Sequence, residues 1–281
     1  MDEGPIPSIE AAAEAQVVLR PAAPRILIVE PDTEIRDLLK TALALEGCEV
    51  QSTPSLKDAQ ALLRQQLFRL VLSDSFARSQ QEALAYLAAL RQEVAPVPVG
   101  ILTGWALTPS EVEEQGFAFL LRKPFDLNEL LGRVAEALAL PLDPEQHPHA
   151  RLVVRVLDAT NRRDFSEYAQ LCAQDVQAYS WVASQADQPI VGVDALLAYI
   201  EKYLERLPHS SYTQYLLYPV PDGIAARFIW QSENAAGGRQ QVAISYRYAI
   251  AGDKIAQIGT QEDIQQLWRL SGLEPAGNAP E

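Results

Sequence analysis

Apolar residues follow two alternating rhythms along the first half of the chain. Ile26–Val29 is an unbroken aliphatic run, and from Ile35 the positions Leu38, Leu39, Ala42 and Leu43 recur at the helical interval until Gly47 supplies a stop. The unit then repeats. Val50 precedes Ala59, Leu62 and Leu63; Leu70–Leu72 precedes Ala83–Leu90; Val99–Leu102 precedes a helix near Pro109–Glu114; Phe117–Leu121 precedes Leu127–Leu138. Continuous apolar strands separated by amphipathic helices are buried on both faces, which predicts an α/β fold with a five-stranded, doubly wound parallel sheet.

From Arg151 the order changes. Helices are expected over Leu152–Asn161 and Phe165–Leu171, then Val176, Ala178 and Ser180 alternate with polar or aromatic neighbours as in a strand, and a third helix runs from Asp194 to Arg206 with Leu196, Leu197, Ile200 and Leu204 inward. Four strands follow: Tyr212–Tyr218, Gly223–Gln231, Gln240–Ile250 and Ile255–Gly259. The turns Gly237-Gly238 and Gly252-Asp253 make neighbours among them antiparallel hairpins. Ala226, Phe228 and Trp230 share one strand face, and Val242, Ile244, Tyr246 and Tyr248 share another. The expectation is an α+β cone whose curved antiparallel sheet folds over its helices. Ile264, Leu267 and Leu270 suggest a short amphipathic end helix.

Length and composition divide these two cores. At 281 residues and 48% hydrophobic, the chain is too long for one ordinary core and too apolar to be disordered. Prolines mark the borders: Pro5, Pro7, Pro21 and Pro24 punctuate a tail over 1–24, and Pro141, Pro144 and Pro148 make 141–150 a linker. The units are then 25–140 and 151–270, with a second tail over 271–281.

Charge narrows the partners. A net charge of -14, with both halves acidic and no basic stripe or helix-turn-helix pattern, excludes nucleic acid as the target of the second half. No run of ~18 uncharged apolar residues occurs and the N-terminus begins acidic, so a cytoplasmic protein without a membrane segment is expected. Cys48 and Cys172 stand alone in separate units and read as core residues. His147, His149 and His209 form no metal-ligand spacing.

In a doubly wound sheet, chemistry collects at the carboxyl ends of the strands. There the sequence places Glu30, Pro31 and Asp32 after the first strand, Asp74 after the third, Thr103 after the fourth and Lys123 after the fifth. Glu30, Asp32 and Asp74 offer oxygen ligands suited to Mg²⁺, Lys123 can balance an acyl phosphate on Asp74, and the Thr103 hydroxyl can bond a phosphoryl oxygen. Four blocks, Ile26–Asp32, Leu70–Asp74, Ile101–Thr103 and Leu121–Phe125, resemble the signature blocks of receiver domains of bacterial two-component response regulators. The resemblance implies that a histidine kinase or phosphotransfer protein phosphorylates Asp74 with the help of Mg²⁺.

Departures from that pattern keep a second reading open. The family pairs two adjacent acids where this chain has Glu30 and Pro31, and a proline side chain ligates nothing. Ser75, Phe76, Ala77 and Arg78 replace the usual loop after the acceptor. Leu120 stands at the usual aromatic position before the lysine, and Phe119 should face the other side of its strand. The alternative is a pseudo-receiver that keeps the fold as a scaffold.

Blocks in the second half, Leu157–Asp164, Leu171–Val176, Val191–Leu196 and Gly252–Ile255, resemble the SnoaL-like branch of the NTF2-like superfamily. That implies a cone with a pocket, often dimeric through its sheet, in a superfamily that hosts both enzymes and binding modules. The positions corresponding to a general-base aspartate and a helix tyrosine fall near Ser180 and Val156, neither of which can move a proton, so an enzyme is not expected. Tyr179, Trp181, Tyr199, Trp230, Tyr246 and Tyr248 are the pocket candidates, for a small apolar or aromatic ligand. The combined expectation is a phosphorylated response regulator whose output is a ligand, a protein partner or a homodimer; its rival is an inert receiver attached to a ligand-binding or weakly catalytic cone.

Overall fold

A computed structural model describes residues 23–76, 79–105, 107, 110, 116–179, 188–233, 239–260 and 262–264. The first unit alternates strands and helices: β1 (Arg25–Val29), α1 (Thr33–Leu45), β2 (Glu49–Thr53), α2 (Leu56–Gln65), β3 (Leu70–Asp74), α3 (Gln80–Val94), β4 (Val99–Thr103), β5 (Phe119–Arg122) and α4 (Leu127–Leu138). The five strands are all parallel, in the order β2-β1-β3-β4-β5. Alternating strand residues feed two apolar layers, Leu27, Val29 and Val71 under α2 and α3, and Ile26, Ile28 and Leu70 under α1 and α4. Each helix begins where a short polar side chain takes an otherwise unpaired backbone N–H: Asp32 for α1, Ser55 for α2, Ser79 for α3 and Asp126 for α4.

Phe119 explains one small correction. The strand expected from Phe117 starts two residues later, and the Phe119 ring lies flat on Gly100, where a Cβ would sit 2.3 Å from ring carbon. Leu120 points into the opposite layer, beside Trp105 and Leu107. The expected helix near Pro109–Glu114 lies outside the described residues except for Ser110.

The second unit comprises α5 (Pro148–Arg162), α6 (Phe165–Leu171), β6 (Cys172–Ala178), β7 (Ile190–Val191), α7 (Val193–Arg206), β8 (Ser211–Val220), β9 (Gly223–Glu233), β10 (Arg239–Ala251) and β11 (Lys254–Ile258). Its mixed, curved sheet runs β7-β6-β11-β10-β9-β8, antiparallel except where β11 pairs with β6. Helix α5 starts inside the stretch expected as linker: the His147 ring accepts the Ala150 N–H and Pro148 takes the first helical position, where a missing N–H costs nothing. Arg163 ends it in the left-handed conformation, φ 60°. Strand β7 went unpredicted because two residues carry no periodicity. The Gly237-Gly238 turn, Leu267, Leu270 and both tails lie outside the described residues. Cys172 is buried and Cys48 half-buried, both as free thiols. Among the described residues no helix is long and apolar enough to cross a membrane.

β9 is buried on both faces. Ala226, Phe228 and Trp230 face the helices of their own unit, as expected, but Ala225, Arg227 and Ile229 on the outer face are buried too. What covers them is the first unit. Leu67 packs with Leu216, Tyr218, Ile229 and Ala243, and Gln241 Nε2 donates to the Gln65 carbonyl at 2.6 Å. Arg227, 1% exposed, donates to the Leu63 carbonyl at 2.8 Å and to Ser245 Oγ at 3.0 Å; Ser245 in turn donates to the Ala95 carbonyl at 2.8 Å. The guanidinium thus meets the carbonyl-rich C-terminal ends of α2 and α3, where the helix dipoles are negative. Burial lowers its pKa to about 10. This part of the outer face, where a sheet-mediated homodimer would pair, is occupied within the chain.

Ser245→Ala strands both an Arg227 N–H and the Ala95 carbonyl. It is expected to lower stability by roughly 1–2 kcal/mol in urea denaturation, with Ser245→Thr losing less.

Candidate functional site

The carboxyl ends of β1, β3, β4 and β5 bring Glu30, Asp74, Thr103 and Lys123 to one edge of the parallel sheet, the edge opposite the one that docks on the second unit. Lys123 Nζ lies 2.6 Å from Glu30 Oε2 and 2.6 Å from Asp74 Oδ2. Glu30 is 1% exposed, whereas the Asp74 side chain keeps 17% of its surface in solvent. One carboxylate is therefore structural and the other accessible, with a single ammonium between them. Burial pulls the Lys123 pKa down, but hydrogen bonds to Asp74 and Glu30 outweigh it and hold the group above its ordinary 10.5.

The other Asp74 oxygen is also held. Phe76 takes a left-handed backbone, φ 46°, unusual for a bulky residue, and this turns its N–H onto Asp74 Oδ1 at 2.8 Å. The Phe76 ring then rests 5.5 Å from that of Tyr86 on α3, whose hydroxyl is 2.9 Å from Ser73 Oγ. Burial, against a Ser73 hydrogen bond and with the charges of Asp74 and Glu93 adding to it, pushes Tyr86 to about 12, so it remains a neutral phenol. Phe76 and Tyr86 were not singled out from sequence, because only the backbone angle and the helix position make them part of the site.

Thr103 is fully buried and makes no hydrogen bond to Asp74. Its Oγ1 is 2.9 Å from Ser75 Oγ and accepts the Trp105 N–H at 3.1 Å. Ser75, read from sequence as a loop departure, supplies the partner. Leu120 leaves no aromatic side chain at the position from which one could report on Thr103.

The three-acid Mg²⁺ set of Glu30, Asp32 and Asp74 is not assembled. Asp32 turns away: its carboxylate caps α1 by accepting the Ile35 N–H at 3.0 Å, and its own N–H donates to Glu30 Oε1 at 3.1 Å. Among the described residues no three His, Cys, Asp or Glu side chains converge. The donors that do converge are two, Glu30 Oε2 and Asp74 Oδ2. Two carboxylates are enough for Mg²⁺, which keeps water and phosphoryl oxygens in its remaining positions.

In the second unit, Tyr179, Tyr199, Trp230, Tyr246 and Tyr248 line one cavity between the helices and the inner sheet face. Trp181 lies outside the described residues. Tyr168, Tyr203 and Tyr212 join the lining and were not anticipated. Phe228 bridges Tyr212 and Tyr246 edge-on, at 4.9 and 5.7 Å between ring centres. Burial raises Tyr168, Tyr203, Tyr212, Tyr246 and Tyr248, leaving phenols that donate hydrogen bonds but carry no charge. The described lining contains no carboxylate or imidazole.

Residues 26–135 match the family model of the response regulator receiver domain, and residues 153–258 match that of the SnoaL-like domain. The response regulator protein FleR of Pseudomonas aeruginosa is 33% identical over 132 residues, 46% of this chain and 28% of that protein, so the chain spans about a quarter of its length. An uncharacterised 14.6 kDa protein from the sodA1 3′ region of Leptolyngbya boryana is 35% identical over 127 residues, 42% of this chain and 93% of that one. A solved NTF2-like protein of unknown function from Burkholderia pseudomallei aligns at 13% identity and a TM-score of 0.38, covering 44% of this chain and 98% of its own.

Lys123→Met leaves the buried Glu30 carboxylate uncompensated and is expected to cost about 3 kcal/mol in urea denaturation, with Glu30→Gln on top of it recovering part of the loss. Because the folded Lys123 pKa is raised, its stabilisation is complete below pH 10.5 and disappears as pH climbs through the folded value. The gap between the parent chain and Lys123→Met should be constant through neutral pH and close only on the alkaline side.

Proposed function

From a chain that joins a response-regulator receiver domain to a SnoaL-like domain, we propose a two-component response regulator that accepts a phosphoryl group on Asp74 and delivers its signal through a non-DNA-binding, ligand-holding module. The observation that carries this reading is the accessible Asp74 carboxylate with Lys123 Nζ 2.6 Å from one oxygen and the Phe76 N–H 2.8 Å from the other.

The donor is a phosphohistidine of a histidine kinase or phosphotransfer protein. An Asp74 oxygen attacks phosphorus, an O–P bond forms as the P–N bond breaks, and the leaving imidazole nitrogen keeps the electron pair and takes a proton from solvent. Lys123 stays beside the product, where its charge offsets that of the acyl phosphate. Glu30 and Asp74 are the residues that would hold Mg²⁺, which supplies charge neutralisation on the phosphoryl oxygens when bound. Glu30 also keeps Lys123 in place. The Asp74 edge is open to a donor protein, since the SnoaL-like domain docks at the other end of the strands.

The tyrosine-lined cavity supports the output half of the proposal. Uncharged phenols and aromatic faces suit a small neutral ligand of apolar or aromatic character with hydrogen-bond acceptors. A second reading, the pseudo-receiver scaffold, draws on Pro31 and on the commitment of Asp32 to capping α1, which together remove one acid from the expected set.

Incubating the full chain with acetyl phosphate and Mg²⁺ should add the mass of one phosphoryl group as an acid-labile adduct, absent in Asp74→Ala. No adduct under conditions that label a control receiver overturns the phosphoacceptor assignment in favour of the scaffold.

A further inference from the structure

Two hydroxyls are buried beside Asp74 without joining the ion pairs of Lys123. Ser75 is 1% and Thr103 0% exposed, and their side-chain oxygens lie 2.9 Å apart. Strand alternation sets them apart from the charges. Glu30, Asp74 and Lys123 continue the face of Ile28, Leu72 and Leu121, which packs under α1 and α4. Ser75 and Thr103 continue the face of Val71 and Ile101, which packs under α2 and α3, and on which Ser73 Oγ meets the Tyr86 hydroxyl of α3. The β3–β4 register explains why the two hydroxyls meet: Asp74 stands opposite Leu102, so the next residue of each strand, Ser75 and Thr103, follow side by side.

The bond matters differently to its two partners. Thr103 Oγ1 also accepts the Trp105 N–H at 3.1 Å, whereas Ser75 Oγ has Thr103 alone among the described residues. An acyl phosphate on Asp74 would present acceptor oxygens on the other face of the strand ends, and the Thr103 hydroxyl would have to turn away from Ser75 to reach them. That exchange replaces a bond between neutral hydroxyls with a stronger one to a charged oxygen. It also strands the Ser75 hydroxyl in a place closed to water, and a buried polar group without a partner keeps the full cost of its desolvation.

We infer that Ser75 is a positioning residue that latches the Thr103 hydroxyl in the unphosphorylated arrangement, so that releasing it opposes phosphorylation of Asp74. The inference rests on the phosphoacceptor reading of Asp74 and adds to it a residue that acts through Thr103 and does not itself touch the phosphoryl group. It also gives a role to one of the departures in the loop after Asp74: a serine there supplies a hydrogen-bond partner that an apolar side chain could not.

Beryllofluoride, which binds an aspartate carboxylate and sets its fluorides where phosphoryl oxygens would stand, tests the latch at equilibrium. The full chain is titrated with it in the presence of Mg²⁺ by calorimetry, each variant being checked for folding by urea denaturation. Ser75→Ala should bind about fivefold more tightly than the parent, because no hydroxyl is left stranded. On a Thr103→Val background, where there is no hydroxyl to release, adding Ser75→Ala should leave the affinity unchanged. Equal or weaker binding by Ser75→Ala, or a tightening that survives on the Thr103→Val background, overturns the latch and leaves Asp74 as the acceptor. Failure of the parent to bind beryllofluoride overturns the phosphoacceptor reading itself, and the latch with it.

Discussion

The hydrogen bonds of one buried guanidinium, Arg227, fix how the two halves of the chain meet. Through Leu63 O and Ser245 Oγ it grips the C-terminal ends of two receiver helices, and it does so from the outer face of β9, whose inner face builds the tyrosine-lined cavity. Alternation along a strand then separates the functions. The cavity opens on the side of the sheet away from the receiver, and the Asp74 edge lies at the strand ends away from the SnoaL-like domain. Neither site is obstructed by the other domain. Helix α3 is in contact with both regions: its Tyr86 meets Ser73 and Phe76 beside Asp74, while its C-cap Ala95 offers a carbonyl to Ser245.

At the Asp74 edge the governing constraint is charge. Two carboxylates converge on one ammonium, one of them almost fully buried and the other partly in solvent. The buried member anchors Lys123, and Lys123 holds the accessible member, so the placement of the Asp74 carboxylate depends on Glu30. Pro31 occupies the position of a second acid, which leaves Glu30 and Asp74 as the convergent pair.

The sequence made the parallel sheet legible because five aliphatic runs alternate with helical periodicity, and the strand-end rule then singled out Glu30, Asp74, Thr103 and Lys123 before any contact was known. Asp32 stands apart from Glu30 and Asp74 for a physical reason: a short carboxylate just ahead of a helix caps its first unpaired N–H, and this one accepts from Ile35. Thr103 lies at the strand end where the pattern put it, but its bond to Ser75 depends on a loop path that no pattern reports. Arg227 was missed because an arginine between Ala226 and Phe228 reads as the solvent face of a half-buried strand; only the docking of the other domain makes that face an interior. Of the helix tyrosines only Tyr199 was read toward the cavity; Tyr168 and Tyr203 were missed because their facing depends on how α6 and α7 pack on the sheet.

The central claim, that Asp74 and no other acid of this edge receives the phosphoryl group, is tested most directly by trapping the acyl phosphate with borohydride, which converts the modified aspartate to homoserine, and sequencing the peptides by mass spectrometry. The account predicts homoserine at position 74 alone. Homoserine at position 32, or at no position after phosphodonor treatment, would contradict it.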